Sequence, residues 1–561
     1  MQKNWNISKI DLKKQNNFSQ ELGISPIIAQ ILLNRQVNTL AEADFYLNAC
    51  IDNCFDPLLL KDMEKSVLRI RKAIKQKEKI FIYGDYDVDG LTSCALLFFV
   101  LKDLGADVYC YIPHRVEEGY GLNQEACAYL KAQGAGLIIT VDCGISSFKE
   151  TGFLNSQGID IIITDHHQPR EHKIPAAYAV INPWQKDCQY PFKELAGVGI
   201  AYKLAQTIAG KNSDVYQHLD LVALGTISDV ATLVGENRIL VKEGLGRLSQ
   251  TKKIGLQALI EITGISKRKL SSYHVGFILG PRINATGRMG SAQMALDLLL
   301  TRDYVQALKL AQNLDRENKE RQKEEAKTLR GALAMIETQI NFKQHRSLVL
   351  HNDDWHPGVI GIVASRIAER FYRPTILIST KDSTGKGSGR SIRNFHLFET
   401  LTKCGHLLQE FGGHEKAAGI SILRENLQSF KEFFNEMAIK SLTEDDLIPT
   451  VDIDMEIDLS VLSEKLINEI EQCAPFGMGN PRPVFISRDL ALKGRPKALR
   501  GNGFKMWVTD GKVTCEAFGS KFTDLDISHI NKGFSIVYSP AMNEWQGIST
   551  IQLQLKDIRI F

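Results

Sequence analysis

From Lys79 to Pro183, short β-branched runs alternate with stretches of helical periodicity. The runs are KIFIYG, DVYCYI, GLIITV, DIIITD and AYAVIN. Apolar strands separated by helices predict a mostly parallel sheet covered on both faces. Four of these strands end in polar clusters: Asp85–Asp89, Pro113–Arg115, Asp142–Ser146 and Asp165–His167. Open α/β sheets bind ligands beyond the carboxyl ends of their strands, so four polar ends there predict one shared site.

Further along, residues 196–260 read as helices around LDLVALGTISDVATL. From Ser291 to Ile340 the pattern is long and helical. Its stretch DRENKERQKEEAKT is charged nearly throughout, which predicts a solvated face or an interdomain strut. A second α/β unit runs from RSLVLH to about Leu442. It holds two glycine clusters, STGKGSGRS, read as a loop, and FGGHEKAAG. TEDDLIPT reads as a linker. Beyond it PVFISRDLALKGRP, GFKMWVTDG, VTCEAFG, FSIVYSP and IQLQLKDIRI are short strands, the pattern of a small barrel or sandwich.

Composition narrows the class. The chain has 561 residues, 44% hydrophobic and 24% charged, enough for several independent cores. A net charge of +3 says little about partners, so any basic surface must be local. The ten cysteines form no CxxC pair and no zinc spacing, as in a reducing compartment. The start of the sequence has no apolar signal core, and no apolar run approaches the ~18 residues of a membrane span. These features predict a soluble, cytoplasmic protein with no membrane partner.

The stretch GDYDVDG places Asp85, Asp87 and Asp89 at alternating positions, as a calcium loop begins. An EF-hand needs a preceding helix and a bidentate Glu at position twelve. Here the preceding residues are strand-like and the twelfth residue is Leu96. The remaining readings are a capped surface turn or carboxylates aimed at a metal. Asp142, then Asp165, His166 and His167, end two further strands, and Asp229 follows an apolar segment. Carboxylates with one imidazole suit Mn²⁺ or Mg²⁺ better than zinc. Two such ions clamp an in-line phosphoryl displacement. Arg390, among glycines, suits phosphate oxygens; TGKGS lacks the spacing of a Walker A loop. Tyr120 between two glycines suits an exposed stacking platform or a core tyrosine. Arg488–Lys521 carries eight Lys/Arg and three Asp/Glu with Phe504, Trp507 and Phe518 interleaved. That fits a single-strand-binding barrel, or a solvated barrel with core aromatics.

GDYDVDG, PHRVEEGYGL, VDCGIS and TDHH occur in the order found in the DHH phosphoesterase superfamily. INPW, LAGVGIAYKL, LDLVALGTISDV, GPRINATGRM, DWHPGVIGIVASRI, KGSGRS and FGGHEKAAG follow. The ordered series, from about residue 50 to 425, closely resembles the RecJ-type single-strand-specific 5′→3′ DNA exonucleases. The C-terminal part resembles them more loosely. The resemblance implies an α/β chain: an N-terminal segment (1–50), a DHH parallel-sheet catalytic domain (51–290), and a long helical linker (291–342). A DHH-associated α/β substrate domain (343–445) and an OB-fold-like nucleic-acid-binding barrel (450–561) would follow. Asp87, Asp89, Asp142, His166 and Asp229 would be metal ligands, with Asp85 close by. Asp165 would orient the site and His167 would contact the scissile phosphate. Arg115 would hold phosphate, Tyr120 would stack on a base, and Ser388 and Arg390 would take a 5′ phosphate. Arg282 or Arg288, and His414, would face the nucleic acid; Asn318 and Arg321 on the linking helix are further candidates. Tyr83 stands where some superfamily members carry a metal-binding histidine. The resemblance also implies two ions of Mn²⁺ or Mg²⁺, single-stranded DNA as substrate, and roles in repair and recombination; the oligomeric state is open, with a monomer favoured. A single-strand binding protein and a RecQ-like helicase would be its partners. The rival readings are a small-molecule DHH phosphoesterase (a pyrophosphatase, nano-RNase or cyclic-dinucleotide hydrolase) and a non-catalytic replication scaffold. The helical middle and basic C-terminal region argue against the first, and the intact acidic set against the second.

Overall fold

The computed structural model describes residues 3–560, except 116, 170–172, 211–213, 267–268, 500–502, 521–531 and 546–547. Arg500 and Lys521 of the basic C-terminal segment lie outside the described residues. Strands Lys79–Gly84, Asp107–Tyr111, Ala135–Val141, Asp160–Thr164 and Ala179–Ile181 form one parallel sheet in the order 2-1-3-4-5. Side-chain alternation feeds two cores. Ile80 and Ile82 pack with helices Met63–Gln76, Val88–Asp103 and Gly197–Ala209, while Phe81 and Tyr83 face Leu130 and Leu154 on the other side. Reversal of strand order between the first and third strands opens a crevice at their carboxyl ends.

Helices Gly197–Ala209, Leu219–Ser228, Gly235–Leu248 and Ile254–Ile262 extend this unit, and the 36-residue helix Tyr304–Gln339 leads out of it. The charged run on that helix is not solvated all round. Asn318, Arg321, Glu325 and Thr328 fall on one helical face and are buried. Spacing of three or four residues aligns them on one stripe, packed toward helices Gly280–Met289 and Pro357–Phe371.

The second sheet runs Glu410–Gly413, Ala417–Leu423, Thr384–Arg390, Thr375–Lys381, Leu348–Asn352. Its central strand is TGKGSGR, a composition that predicts a loop. Composition misled there. Gly385, Gly387 and Gly389 point to one face, where an added Cβ would come within 2.8, 2.6 and 2.9 Å of Ile378, Ile420 and Leu397 side-chain atoms. The glycines make room for these branched neighbours, and Lys386, Ser388 and Arg390 occupy the opposite face.

Strands Phe485–Leu492, Gly503–Thr509, Thr514–Ser520, Lys532–Trp545 and Ile548–Ile560 close into a barrel through the Leu492–Val508 pairing. The first residues complete this barrel unit. Asn4–Ile7 pairs in parallel with Thr450–Ile453, and Phe18, Ile28 and Leu32 share a core with Leu466, Ile470 and Phe485. Phe504 belongs to that core, Phe518 is half-buried, and Trp507 is exposed with Lys505 Nζ 6.0 Å from its ring centre. All ten cysteines are free, and no described helix is long and apolar enough to cross a membrane.

Candidate active site

The turn after Lys79–Gly84 divides its three aspartates by position. Asp87 is the N-cap of helix Val88–Asp103; its Oδ1 accepts from the Asp89 and Gly90 N–H groups at 2.9 and 3.1 Å. Asp89 lies in the first turn and is fully buried. Its two oxygens accept from the N–H groups of Gly197 at 2.7 Å and Val198 at 2.8 Å, the first residues of helix Gly197–Ala209. Free N–H groups at a helix start favour a carboxylate there. A Cβ on Gly197 would sit 2.8 Å from the Asp142 Cβ and 3.0 Å from Asp89 Oδ2, so a side chain at 197 would wedge the two carboxylates apart. Asn284 Oδ1 accepts from the Val88 N–H at 3.2 Å. The sequence reading assigned no role to Gly197, Val198 or Asn284. Its only available signal was the run of small residues in LAGVGIAYKL, opening a helix without a capping side chain.

Asp142 ends strand Ala135–Val141 with φ 59°, a left-handed conformation that costs a non-glycine residue about 1–3 kcal/mol. Val230, directly after Asp229, has φ 62°. Strained backbone thus brackets the cluster from two elements. Candidate ligand atoms fall into three overlapping groups, each within 4.8 Å: Asp142, His166 and His167; Asp89, His166 and Asp229; Asp85, Asp87 and Asp142.

These residues fit a divalent cation. Asp85 Oδ1, Asp142 Oδ1 and His166 Nε2 are buried without a hydrogen-bond partner among the described residues. The last two lie only 3.1 Å apart. Burial, then the Asp87 charge, pushes Asp85 well above the carboxylate range; burial and Asp89 do the same to Asp142 and Asp229. Asp89 is pushed up to about 7 by burial and Asp87. Carboxylates packed this closely repel until a cation joins them. Burial, then neighbouring His167, pushes His166 down to about 3, leaving the neutral imidazole that can ligate. Tyr83 is absent from the cluster; its ring stacks on Tyr111 and its hydroxyl donates to the Gly121 carbonyl at 2.9 Å.

Asp165 and His167 form a second device. Asp165 Oδ2 accepts from the Ile145 N–H at 2.9 Å; Oδ1 accepts from the His167 N–H at 3.0 Å and lies 2.7 Å from His167 Nδ1. Burial pulls the His167 charge down, but Asp165 overrides it and holds the imidazole up at about 9. Asp165 thus favours the protonated imidazole of His167. Tyr120 is half exposed, and its hydroxyl sits 3.2 Å from both the Asp142 carbonyl and His167 Nδ1.

Guanidinium groups converge opposite. Burial, then Arg115, Arg321 and Arg390, pushes Arg288 down to about 10. Arg390 donates to Ser388 Oγ at 3.0 Å, and a Cβ on Gly361 would meet both side chains within 3.0 Å. Arg115 lies 4.8 Å from the Tyr86 ring centre. His414, from the hairpin of the second sheet, is close enough to His166 to disfavour its charge. Asn318 is buried with its Oδ1 unpartnered among the described residues; Arg321 reaches Glu325 at 3.4 Å. Arg282 is not brought into this group, being tied to Asp315 at 2.9 Å and the Ile278 carbonyl at 2.7 Å.

Comparison with known proteins agrees with this architecture. The "DHH family, N-terminal domain" matches residues 79–226, the "DHHA1 domain" residues 344–440, and the "RecJ OB domain" residues 453–557. The single-stranded-DNA-specific exonuclease RecJ of Bacillus subtilis (strain 168) is 39% identical over 560 residues, covering 99% of this chain and 71% of its own length. The crystal structure of RecJ in complex with Mn²⁺ from Thermus thermophilus superposes with a TM-score of 0.85 at 30% identity, over 99% of this chain and 79% of that one. The corresponding Mg²⁺ complex gives 0.80 at 29% identity, over 99% and 78%. With its sheet order, its carboxylate cluster and these matches taken together, the chain belongs to the RecJ family.

Proposed function

We propose that this chain is a metal-dependent exonuclease that hydrolyses single-stranded DNA from its 5′ end. The observation that carries the reading is the buried cluster of carboxylates and His166, with ligand atoms within 4.8 Å of one another in each group and three of them without a hydrogen-bond partner among the described residues. Asp87, Asp89, Asp142, His166 and Asp229, with Asp85 beside them, would hold Mn²⁺ or Mg²⁺. When bound, such ions supply Lewis-acid polarisation of a phosphoryl oxygen and a nucleophile near neutral pH.

The chain's own groups do the rest. Cationic His167, held by Asp165, donates to a non-bridging oxygen of the scissile phosphate and stabilises charge as it builds. The ring of Tyr120 supports the adjacent base. Arg390 with Ser388, beside Arg288 and Arg115, takes the terminal 5′ phosphate, whose extra charge suits a cluster of mutually repelling guanidiniums. His414, Asn318 and Arg321 line the wall facing the metal centre. Arg282 serves instead to brace the long helix. An exonuclease of this kind acts in DNA repair and recombination.

The test uses end-labelled DNA with Mn²⁺ or Mg²⁺: single-stranded, duplex, and blocked at either end. Loss of label from free 5′ single strands is the expected result. No degradation of them would overturn the reading, and hydrolysis of pyrophosphate or dinucleotides alone would replace it with a small-molecule phosphoesterase. A single-strand binding protein and a RecQ-like helicase belong to the same proposal as partners; co-sedimentation with each purified protein checks that.

A further inference from the structure

We propose that Tyr273 and Phe277 form a stacking platform for bases of the incoming single strand, between the metal centre and the C-terminal barrel. The inference rests on the exonuclease reading and extends it to a part of the substrate remote from the scissile bond. Both rings are large, apolar and open, 62% and 72% exposed, with centroids 5.1 Å apart and planes inclined by 30°. Their ring contacts among the described residues are with each other and, for Tyr273, with His274 at 5.9 Å.

Their placement is built. They stand one helical turn apart, at Ser272–His274 and in the π-turn Val275–Leu279, which runs on into helix Gly280–Met289. The buried side of this run presses on the segment that delivers Asp229. An added Cβ on Gly276 would lie 3.7 Å from Ile227 Cγ2, and one on Gly280 2.6 Å from Ser228 Oγ. The two rings line a groove of about 1480 Å³, together with Gly276, Ile227 and Ser228.

Its lining includes Val230, next to Asp229 and 59% exposed, and Phe476 with Met478, 55% exposed, on the segment leading into the barrel. A strand leaving the metal centre along this groove would meet both rings. On the walls Arg482 is paired with Glu471 at 2.7 Å, leaving Lys242 and Lys269 against Glu243. Flat aromatic faces with basic walls suit bases of any sequence. The exposed Val230 and Met478 add apolar surface to the same groove.

The experiment compares the parent with a Tyr273→Ala/Phe277→Ala double variant, using 5′-phosphorylated oligonucleotides from three to forty nucleotides. Both side chains are solvent-facing, so the melting temperature should hold. For long substrates KM should rise about 5- to 150-fold per base released from stacking. The effect should fade as substrates become too short to reach the groove, with kcat little changed, and a Tyr273→Trp/Phe277→Trp variant should restore KM. With metal chelated, 2-aminopurine placed along a bound strand should be quenched at one or two positions in the parent and bright there in the Ala variant. Unaltered KM on long strands with unaltered quenching would overturn the platform, as would equal losses on short and long substrates. Normal DNA handling but lost binding of another protein would reassign the rings to a protein partner. A parent that binds strands with the quenching pattern yet hydrolyses none would leave the platform standing and remove the exonuclease reading.

Discussion

Asp142 carries three burdens at once: a left-handed backbone, burial among like charges, and an oxygen without a hydrogen-bond partner among the described residues. Asparagine tolerates the same backbone conformation. Asp142→Asn therefore removes the charge without adding strain. Its metal-free form should melt at a higher temperature than the parent, because repulsion with Asp89 and Asp87 is relieved. Its Mn²⁺-induced rise in melting temperature should shrink, and kcat should fall on the order of 10³-fold, as befits loss of a main electrostatic contributor. DNA binding should largely survive. Thermal scans with and without Mn²⁺ read the first two outcomes, and a melting temperature below the parent's would contradict the repulsion argument. Asp165 acts through another group. Asp165→Asn leaves the contact to the Ile145 N–H but withdraws the charge that holds His167 protonated. We expect kcat to drop about 10²- to 10³-fold with KM nearly constant. A rise in KM alone would place His167 in binding rather than in the step.

At the scale of elements, the helix start at Gly197 and the strand Thr384–Arg390 show what the sequence hides. The clusters Asp85–Asp89, Asp142 and Asp165–His167 were legible because each follows a β-branched run, and strand ends face one crevice. The contribution of Gly197 and Val198 was not legible, because it is made by backbone N–H groups of a turn distant in sequence from Asp89. The strand was misread because its glycines resemble a loop, and only the neighbouring Ile378, Ile420 and Leu397 explain them. Nor did charge patterning separate Asn318 and Arg321 from the solvated residues around them; only packing of the long helix does. Two substitutions test these elements. Gly197→Ala should weaken metal affinity about 10- to 100-fold by moving Asp89 and Asp142, the usual cost of disturbing groups that orient ligands. Titration of Mn²⁺ by calorimetry measures it, and parent-like affinity would show that the turn yields freely. Gly387→Val sets a branched side chain where a bare Cβ already lies 2.6 Å from Ile420. Overpacking should cost about 1–3 kcal/mol in urea unfolding. Displacement of Ser388 and Arg390 should also erase any preference for 5′-phosphorylated ends.

Across the whole molecule, the two ends of the chain are folded together. Asn4–Ile7 supplies a strand to Thr450–Ile453, Arg35 pairs with Asp454 at 2.6 Å, and Asn34 donates to the Asp454 carbonyl at 2.9 Å. Phe18, Ile28 and Leu32 are buried against Leu466, Ile470 and Phe485. The catalytic sheet has separate cores that draw nothing from these residues. Removal of residues 1–50 should therefore strip the barrel unit of one wall while sparing the metal centre. Each large apolar side chain so exposed forfeits about 1.5–3 kcal/mol of burial, and several are lost together. The truncated protein should show a separate, lower melting transition for the barrel, and limited proteolysis should cut first within 450–561. Mn²⁺ binding and hydrolysis of very short oligonucleotides should persist, while affinity for long strands falls, because the barrel and the groove leading from it are no longer held against the catalytic unit. A truncated protein that melts in one transition with undiminished affinity for long strands would show that the barrel stands without its N-terminal wall.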